Sequence, residues 1–368
     1  MEDEKYMKYA LELAKRGSGL VNPNPCVGAV IVKHHKILGE GWHKAYGGPH
    51  AEVNALASCT ECVIGSTLYV TLEPCCHYGK TPPCVEAIIK SGIAKVVVGA
   101  LDPNPLVAGK GIKRLRESGI EVVTQVLEKE CMKVNEIFFH FITHKLPLVV
   151  MKYAMTLDGK IATVVGASQW ITEDKAREDV HRDRNRLMGI MVGIETVLKD
   201  NPLLTCRIQG GRNPIRIICD THLRIPLESK IVETASTINT ILATCNNCPK
   251  EHKPFLEKGC NILVVPSKDG HIDLGILMQK LGEKGIDSIL LEGGGTLNEA
   301  MLRAQLVHQI KAYIAPKLFG GVLAKSPIGG EGIRDIDACY GLNHIEITRM
   351  GNDILIQGKV DYSCLLES

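Results

Sequence analysis

The chain has 368 residues, which at about 150 per domain makes two domains the starting expectation. Hydrophobic residues make up 45% and charged residues 23%, a globular balance that excludes disorder, and no apolar run nears the roughly 18 residues that span a bilayer. The formal net charge is +2; the first 145 residues hold 17 basic and 15 acidic side chains and the rest 26 of each, so neither half is a basic domain made for a nucleic-acid backbone.

The start, Met-Glu-Asp-Glu-Lys, is acidic with no long apolar core behind it, unlike a signal peptide, and points to the cytoplasm. Fourteen cysteines in a reducing compartment read mostly as small buried hydrophobes, with a minority free to act as metal ligands or nucleophiles. In chain order, Tyr6–Lys15 predicts an amphipathic helix, and Cys26–Val32 with Lys36–Trp42 a hairpin around Lys33-His34-His35. Helix Ala51–Ser58, strand Thr67–Leu72, helix Val85–Ser91 closed by Gly92 and strand Lys95–Ala100 follow. A helix ending at Gly119, strand Glu121–Val126 and helix Glu128–Thr143 complete the first half. The pattern restarts near Lys145-Leu146-Pro147, giving expected domains 1–145 and 146–368. The second half reads as strand Leu148–Ala154, helix Glu173–Asn185, strands Ile215–Cys219, Thr240–Ala243 and Asn261–Val265, helix Leu274–Lys284, strand Ser288–Leu291 and helix Thr296–Ala304. Strands Gln309–Ala315, His344–Met350 and Asp353–Val360 close it. Strands alternating with helices imply two α/β domains.

The sharpest local pattern is His50-Ala51-Glu52, then Pro74-Cys75, then Cys84. A catalytic zinc takes three protein ligands and keeps a fourth position for water; His50, Cys75 and Cys84 offer one imidazole and two thiolates. Glu52, two residues from His50, stands close enough to handle a water's proton without binding metal. Cys84 follows Pro82-Pro83 and opens a helix, where the positive terminus favours a thiolate. This is the His-x-Glu … Pro-Cys … Cys signature of zinc nucleobase deaminases, although eight residues rather than two separate the cysteines. The plainer reading is a chance order of buried cysteines and a capping histidine. Cys59-x-x-Cys62 and Cys245-x-x-Cys248 have ligand spacing but no second pair nearby, and Cys76 reads as a packing residue. Within the inserted loop Lys80 and Thr81 are candidate phosphate contacts, the alternative being a solvated loop.

In the second half, strand Ser288–Leu291 runs into Glu292-Gly293-Gly294-Gly295-Thr296 and a helix. Glycines there let the backbone approach a phosphate at a helix N-terminus, or simply make a tight turn; Glu292 could hold a polar ligand group. It is not the G-x-G-x-x-G fingerprint. Trp170 in Ser168-Gln169-Trp170 could wall a flat ring, and Arg184 and Arg207 could pair a phosphate through bidentate hydrogen bonds, or simply be solvated.

Taken together, the chain resembles the bifunctional riboflavin-biosynthesis deaminase/reductases from about Glu4 to Val360. The residues that carry the resemblance are Pro23 to Gly28, His50-Ala51-Glu52, the whole run Pro74 to Cys84, Asp102 to Pro105 with Gly109 to Ile112, Thr156 to Ala162, Asp200-Asn201-Pro202 and Glu292-Gly293-Gly294. The long Cys-to-Cys loop belongs to that family; Cys76 and Thr156 stand where serine is usual. The resemblance implies an N-terminal cytidine-deaminase-like α/β/α domain and a dihydrofolate-reductase-like α/β domain after it. It implies zinc, NADPH and a small phosphorylated pyrimidine: 2,5-diamino-6-ribosylamino-4(3H)-pyrimidinone 5′-phosphate, deaminated by zinc hydroxide with Glu52 moving the proton, then reduced at the ribosyl group to ribityl. It further implies that Asn24, His43, His77 and Lys80 grip the deaminase substrate, and Lys152, Ser168, Arg184, Leu204, Arg207 and Glu292 the reductase substrate. Ala154, Trp170, Thr196, Asp200, Thr221, Gly294, Gly295, Thr296, Leu297, Asn298, Glu299 and Ala300 would contact the nicotinamide cofactor. Homo-oligomers are common among such enzymes, though no interface signature stands out.

Two rivals remain at this stage. A polynucleotide deaminase needs a basic, aromatic-interleaved stripe that neither half offers. A structural zinc module joined to a nucleotide sensor needs four protein ligands around the metal.

Overall fold

The computed structural model describes residues 2–78, 82–104 and 107–363. The chain divides into two compact units, Met1–Lys145 and Leu146–Ser368. Among the described residues no helix is long and apolar enough to cross a membrane.

In the first unit α1 (Glu2–Lys15) leads into the hairpin β1 (Gly28–Lys33) and β2 (Lys36–Trp42), followed by α2 (Ala51–Ser58), β3 (Thr67–Leu72), α3 (Cys84–Ser91), β4 (Lys95–Ala100), α4 (Lys110–Glu117), β5 (Glu121–Val123), α5 (Glu128–Val134) and α6 (Glu136–His144). The sheet order is β2-β1-β3-β4-β5; β1 is antiparallel to β2 and β3, while β3, β4 and β5 run parallel. Side chains alternate across it with period two. Ala29, Ile31, Leu68, Val70, Val96 and Val98 pack on one face with residues of α2, α3 and α4. Val30, Val32, Tyr69 and Val97 face the other, against Tyr6, Met7, Ala10 and Leu13 of α1 and Cys131 of α5. The helix–strand contact is backbone-close: a Cβ on Gly28 would fall 1.9 Å from the Ala10 carbonyl oxygen, so only glycine fits there.

Two expectations fail here for physical reasons. The strand expected to reach Val126 stops at Val123, because Gln125 and Leu127 take left-handed backbone at φ 65° and 56°. The helix expected over Glu128–Thr143 is broken at Asn135, whose backbone leaves helical values at φ −107°. Its buried amide instead accepts from Cys26 N at 2.8 Å and donates to Cys26 O at 3.0 Å, pinning the segment before β1.

The second unit runs β6 (Leu148–Thr156), α7 (Asp174–Arg186), β7 (Gly189–Gly193), α8 (Ile194–Asp200), β8 (Ile215–Cys219), α9 (Lys230–Glu233), β9 (Thr240–Thr244), α10 (Pro249–Glu257), β10 (Asn261–Val264), β11 (Ser267–Lys268), β12 (His271–Ile272), α11 (Leu274–Glu283), β13 (Ser288–Leu291), α12 (Gly295–Arg303), β14 (Gln309–Ala315), β15 (Gly341–Met350) and β16 (Asp353–Asp361). Nine strands form one sheet in the order β10-β9-β8-β7-β13-β6-β14-β16-β15, parallel from β10 to β14 and antiparallel over the last two. Helices α11 and α12 cover one face, α8, α9 and α10 the other, with α7 over Tyr313 and Leu355. β7, α8, α9, α10 and the β11–β12 ribbon have no counterpart among the elements expected from the sequence pattern. β7 is five residues bounded by glycine, α8 and α9 are two turns or fewer, and α10 carries Pro249 and Pro254. Within β8, the fully buried Arg216 donates to Ile231 O at 2.8 Å, Ile238 O at 3.2 Å, Thr234 Oγ1 at 2.7 Å and Thr240 Oγ1 at 2.7 Å.

Candidate functional site

In the first unit His50 is the N-cap of α2 and Glu52 lies in that helix's first turn, while Cys84 opens α3. The Cys84 N–H donates to Cys75 Sγ at 3.4 Å, so the start of α3 holds the second thiol as well. Cys84 Sγ is 3.3 Å and Cys75 Sγ 3.5 Å from His50 Nδ1. Among the described residues these three form the one group of ligand-type side chains clustered tightly enough for a metal, with their donor atoms within 4.8 Å of one another. The two other Cys-x-x-Cys pairs gather no such group. One imidazole and two thiols converging on a point fit zinc. The hydrogen bond between Cys84 and Cys75 holds the Cys75 thiol well below its ordinary value, and the same bond with burial pushes Cys84 up.

Glu52 is buried, and its Oε2 has no hydrogen-bond partner. Burial raises its carboxyl to about 7, with the Cys75 charge adding to that. An orphaned carboxylate oxygen beside three convergent ligand atoms is the mark of a group waiting for a ligand. His43 Nδ1 donates to Pro49 O at 3.1 Å and Nε2 accepts from Asn24 Nδ2 at 3.2 Å, which fixes a neutral ring that burial keeps neutral. That ring meets His50 edge-on, with centroids 5.4 Å apart. His77 Nδ1 is buried without a partner. Lys80 and Thr81 lie outside the described residues. Cys76 packs on the core beneath α2 and α3, in keeping with the packing expectation.

Glu73 went unnoticed in the sequence. Its carboxylate accepts from Gly109 N at 3.0 Å, Gly111 N at 3.1 Å and Ile112 N at 3.3 Å, so it anchors the start of α4 two residues before Cys75. A Cβ on Gly111 would sit 2.2 Å from Pro74 O, which explains the glycine. The signal available was a lone acid in front of Pro-Cys, and nothing in the spacing marked it as a cap.

In the second unit a cavity of about 2200 Å³ opens at the carboxyl ends of β6, β13, β7 and β8. It gathers Lys152, Ser168, Arg184, Leu204, Arg207 and Glu292, and also Ala154, Trp170, Thr196, Asp200 and Thr221. From α12 and the turn before it come Gly294 to Leu297, Glu299 and Ala300. Asn298 is the exception: it is buried and donates from Nδ2 to Pro327 O at 2.9 Å, tying a neighbouring loop instead of facing the cavity. Arg184 also departs from expectation. Its fork is bidentate on Glu292, Nε to Oε1 at 2.7 Å and Nη2 to Oε2 at 3.0 Å, with Nη1 on Thr205 O at 3.0 Å, so it is spent on protein rather than free for phosphate. Lys152 Nζ lies 3.5 Å from the same carboxylate. Arg207 is exposed on the cavity wall, and the Arg177 guanidinium stacks on the Trp170 ring at 4.6 Å.

Burial alone would raise the Glu292 carboxyl, but Arg184 and Lys152 outweigh it and hold it at about 2, against an ordinary 4.5. A depressed acid stabilises the fold above its unfolded value, and that stability is lost as pH falls toward the folded one. We therefore expect acid to remove on the order of 3 kcal/mol from the second unit between about pH 4.5 and 2. Urea unfolding at pH 5 and pH 3 checks this, since Glu292→Gln should lack that increment. Equal pH dependence in both proteins would refute it.

Comparison with known proteins agrees with this division. Residues 1–100 match the cytidine and deoxycytidylate deaminase zinc-binding region, and residues 147–356 the RibD C-terminal domain. The riboflavin biosynthesis protein RibD of Actinobacillus pleuropneumoniae is 50% identical over 356 residues, 97% of this chain and 95% of that one. The Escherichia coli protein of the same name is 42% identical over 87% of this chain and 89% of its own. The structure is similar to Acinetobacter baumannii RibD (TM-score 0.88, 36% identity, 98% of this chain and 99% of that one). It is similar as well to the Thermotoga maritima diaminohydroxyphosphoribosylaminopyrimidine deaminase/5-amino-6-(5-phosphoribosylamino)uracil reductase (TM-score 0.86, 39% identity, with the same coverage). The chain thus belongs to the RibD family of bifunctional riboflavin-biosynthesis enzymes, with a cytidine-deaminase-like zinc-binding domain followed by a reductase domain.

Proposed function

We propose that the first unit deaminates 2,5-diamino-6-ribosylamino-4(3H)-pyrimidinone 5′-phosphate and that the second reduces the ribosyl group of the product to ribityl with NADPH, in the cytoplasm. The observation that carries the reading is the orphaned Oε2 of buried Glu52 beside the convergent His50, Cys75 and Cys84. Those three side chains would hold zinc, which supplies a water acidified toward neutral pH as the nucleophile. Glu52 takes a proton at Oε2 and delivers it to the departing amine, and its burial keeps bulk water from competing for that proton. Asn24 and His43, locked to each other, present a fixed polar edge to the pyrimidine, with His77 and Lys80 completing the grip.

In the second unit the substrate lies over Lys152 and Glu292, flanked by Ser168, Leu204 and Arg207. Arg184 acts through Glu292, keeping that carboxylate ionised and aimed. NADPH, which supplies hydride to the ribosyl C1′, would lie along Ala154, Trp170, Thr196, Asp200, Thr221 and the α12 N-terminus, where free N–H groups favour a diphosphate. Arg207, an exposed cation on the cavity wall beside Leu204, takes the substrate phosphate. Arg207→Ala should lower the reductase kcat/KM by about tenfold and leave deamination intact. An unchanged value would return Arg207 to the solvated surface.

The deciding assay mixes the zinc-loaded chain, the phosphorylated diaminopyrimidine and NADPH, and follows ammonia release and loss of reduced-cofactor absorbance together. Ammonia first, then stoichiometric NADPH oxidation, is the expected result. Release of neither overturns the reading.

A further inference from the structure

The reductase cavity has a second charged layer beside it. The parallel register of β6 and β14 pairs Lys152 with Lys311, so the two side chains leave the same face of the sheet on strands about 5 Å apart. Two ammonium groups placed so closely compete for any carboxylate within reach, and Glu292 is 3.5 Å from the first. The structure gives Lys311 its own partners. Its Nζ lies 2.9 Å from Asp179 Oδ2 and also donates to Asp183, while the Tyr313 hydroxyl donates to Asp179 Oδ2 at 2.6 Å.

Asp179 and Asp183 are one turn apart on α7, so they stand on one helix face above β14, alongside the buried Ala176 and Val180. The next residue after Asp183 is Arg184, whose fork holds Glu292. Three cations (Lys152, Arg184, Lys311) thus meet three carboxylates (Asp179, Asp183, Glu292) in a nearly closed layer: the Lys311 and Asp183 side chains are 11% and 6% exposed. Arg182, 4.0 Å from Asp179, and Arg186, 3.5 Å from Asp183, edge the layer from the solvent side.

We propose that Lys311, Asp179, Asp183 and Tyr313 are positioning residues for the reduction step: they fix the rotation of α7 so that Arg184 meets Glu292, and they occupy Lys311 so that Lys152 keeps Glu292 as its counter-ion. The proposal rests on the reductase reading of this cavity. None of the four needs to touch substrate. They act through the Lys152–Glu292–Arg184 set, and none of the four belongs to α8 or α12, which carry Thr196, Asp200 and the glycine-led turn proposed to hold the cofactor.

The test uses the full zinc-loaded chain, the already deaminated substrate and NADPH. Asp183→Asn removes one of the two counter-ions of Lys311 at nearly constant shape. We expect a fall in reductase kcat of about tenfold, a KM for NADPH within about twofold of the parent, and unchanged deamination by the same preparation. Leu355→Ala, which loosens the same helix–sheet contact without touching a charge, should lower Tm while keeping reductase kcat. If Asp183→Asn is not recovered folded, Tyr313→Phe decides: it deletes one hydrogen bond to Asp179 and should lower kcat severalfold with the same KM. Parent kcat in Asp183→Asn, or in Tyr313→Phe where it decides, overturns the proposal, as does an equal loss of kcat in Leu355→Ala. Absence of NADPH oxidation by the unsubstituted chain would instead refute the reductase reading.

Discussion

Glu52→Gln is expected to cut ammonia release by about a thousandfold, since one well-placed acid–base group contributes on the order of 10²–10⁴. The amide keeps the shape and fills the same buried site at the start of α2, but it cannot take and return a proton. His50, Cys75 and Cys84 are untouched, so metal content by elemental analysis should equal that of the parent. NADPH oxidation with the already deaminated substrate should also persist, because the reductase cavity is lined by the second unit alone. Near-parental deamination by this variant would show that another group moves the proton.

Glu292→Gln is the second large effect. The carboxylate is the counter-ion of two side chains, Arg184 and Lys152, that are 14% and 15% exposed. Removing one charge from a buried pair leaves the other uncompensated, at a cost of about 3–5 kcal/mol, whereas an exposed pair would lose under about 1 kcal/mol. For a unit of this size that is a fall in Tm of roughly 10 °C. The reductase should lose at least about a hundredfold in kcat/KM, because Lys152 and Arg184 lose the group that aims them. Deamination should survive below the new transition. A variant as stable as the parent would mean that water already screens the cluster.

Legibility in the sequence followed the range of the interaction. The zinc set could be read because each ligand sits at the start of its own helix or beside a proline, in a short motif with a chemical reason. The order of strands and helices was largely readable from period and punctuation. What escaped depended on partners far along the chain. Nothing near Arg184 says that a carboxylate 108 residues later claims its fork. Asn135 breaks a helix for the sake of Cys26, 109 residues earlier. Glu73 caps backbone 36 to 39 residues downstream. Asn298 sits in the stretch expected to touch cofactor, yet its amide is claimed by Pro327.

The guanidinium buried in β8 has a consequence for how the far end of the sheet behaves. Arg216 reaches Leu203 O ahead of its strand, Ile231 O and Thr234 within and after α9, and Ile238 O and Thr240 at the entry to β9. A cation enclosed by carbonyl and hydroxyl oxygens, with no carboxylate bonded to it among the described residues, is tolerable only while every acceptor is in place. Loosening any one strand of this knot therefore loosens them all. The margin of the sheet that carries Thr221 should open and close as a single latch rather than fray residue by residue, and slow amide exchange in β8, α9 and β9 should be lost together.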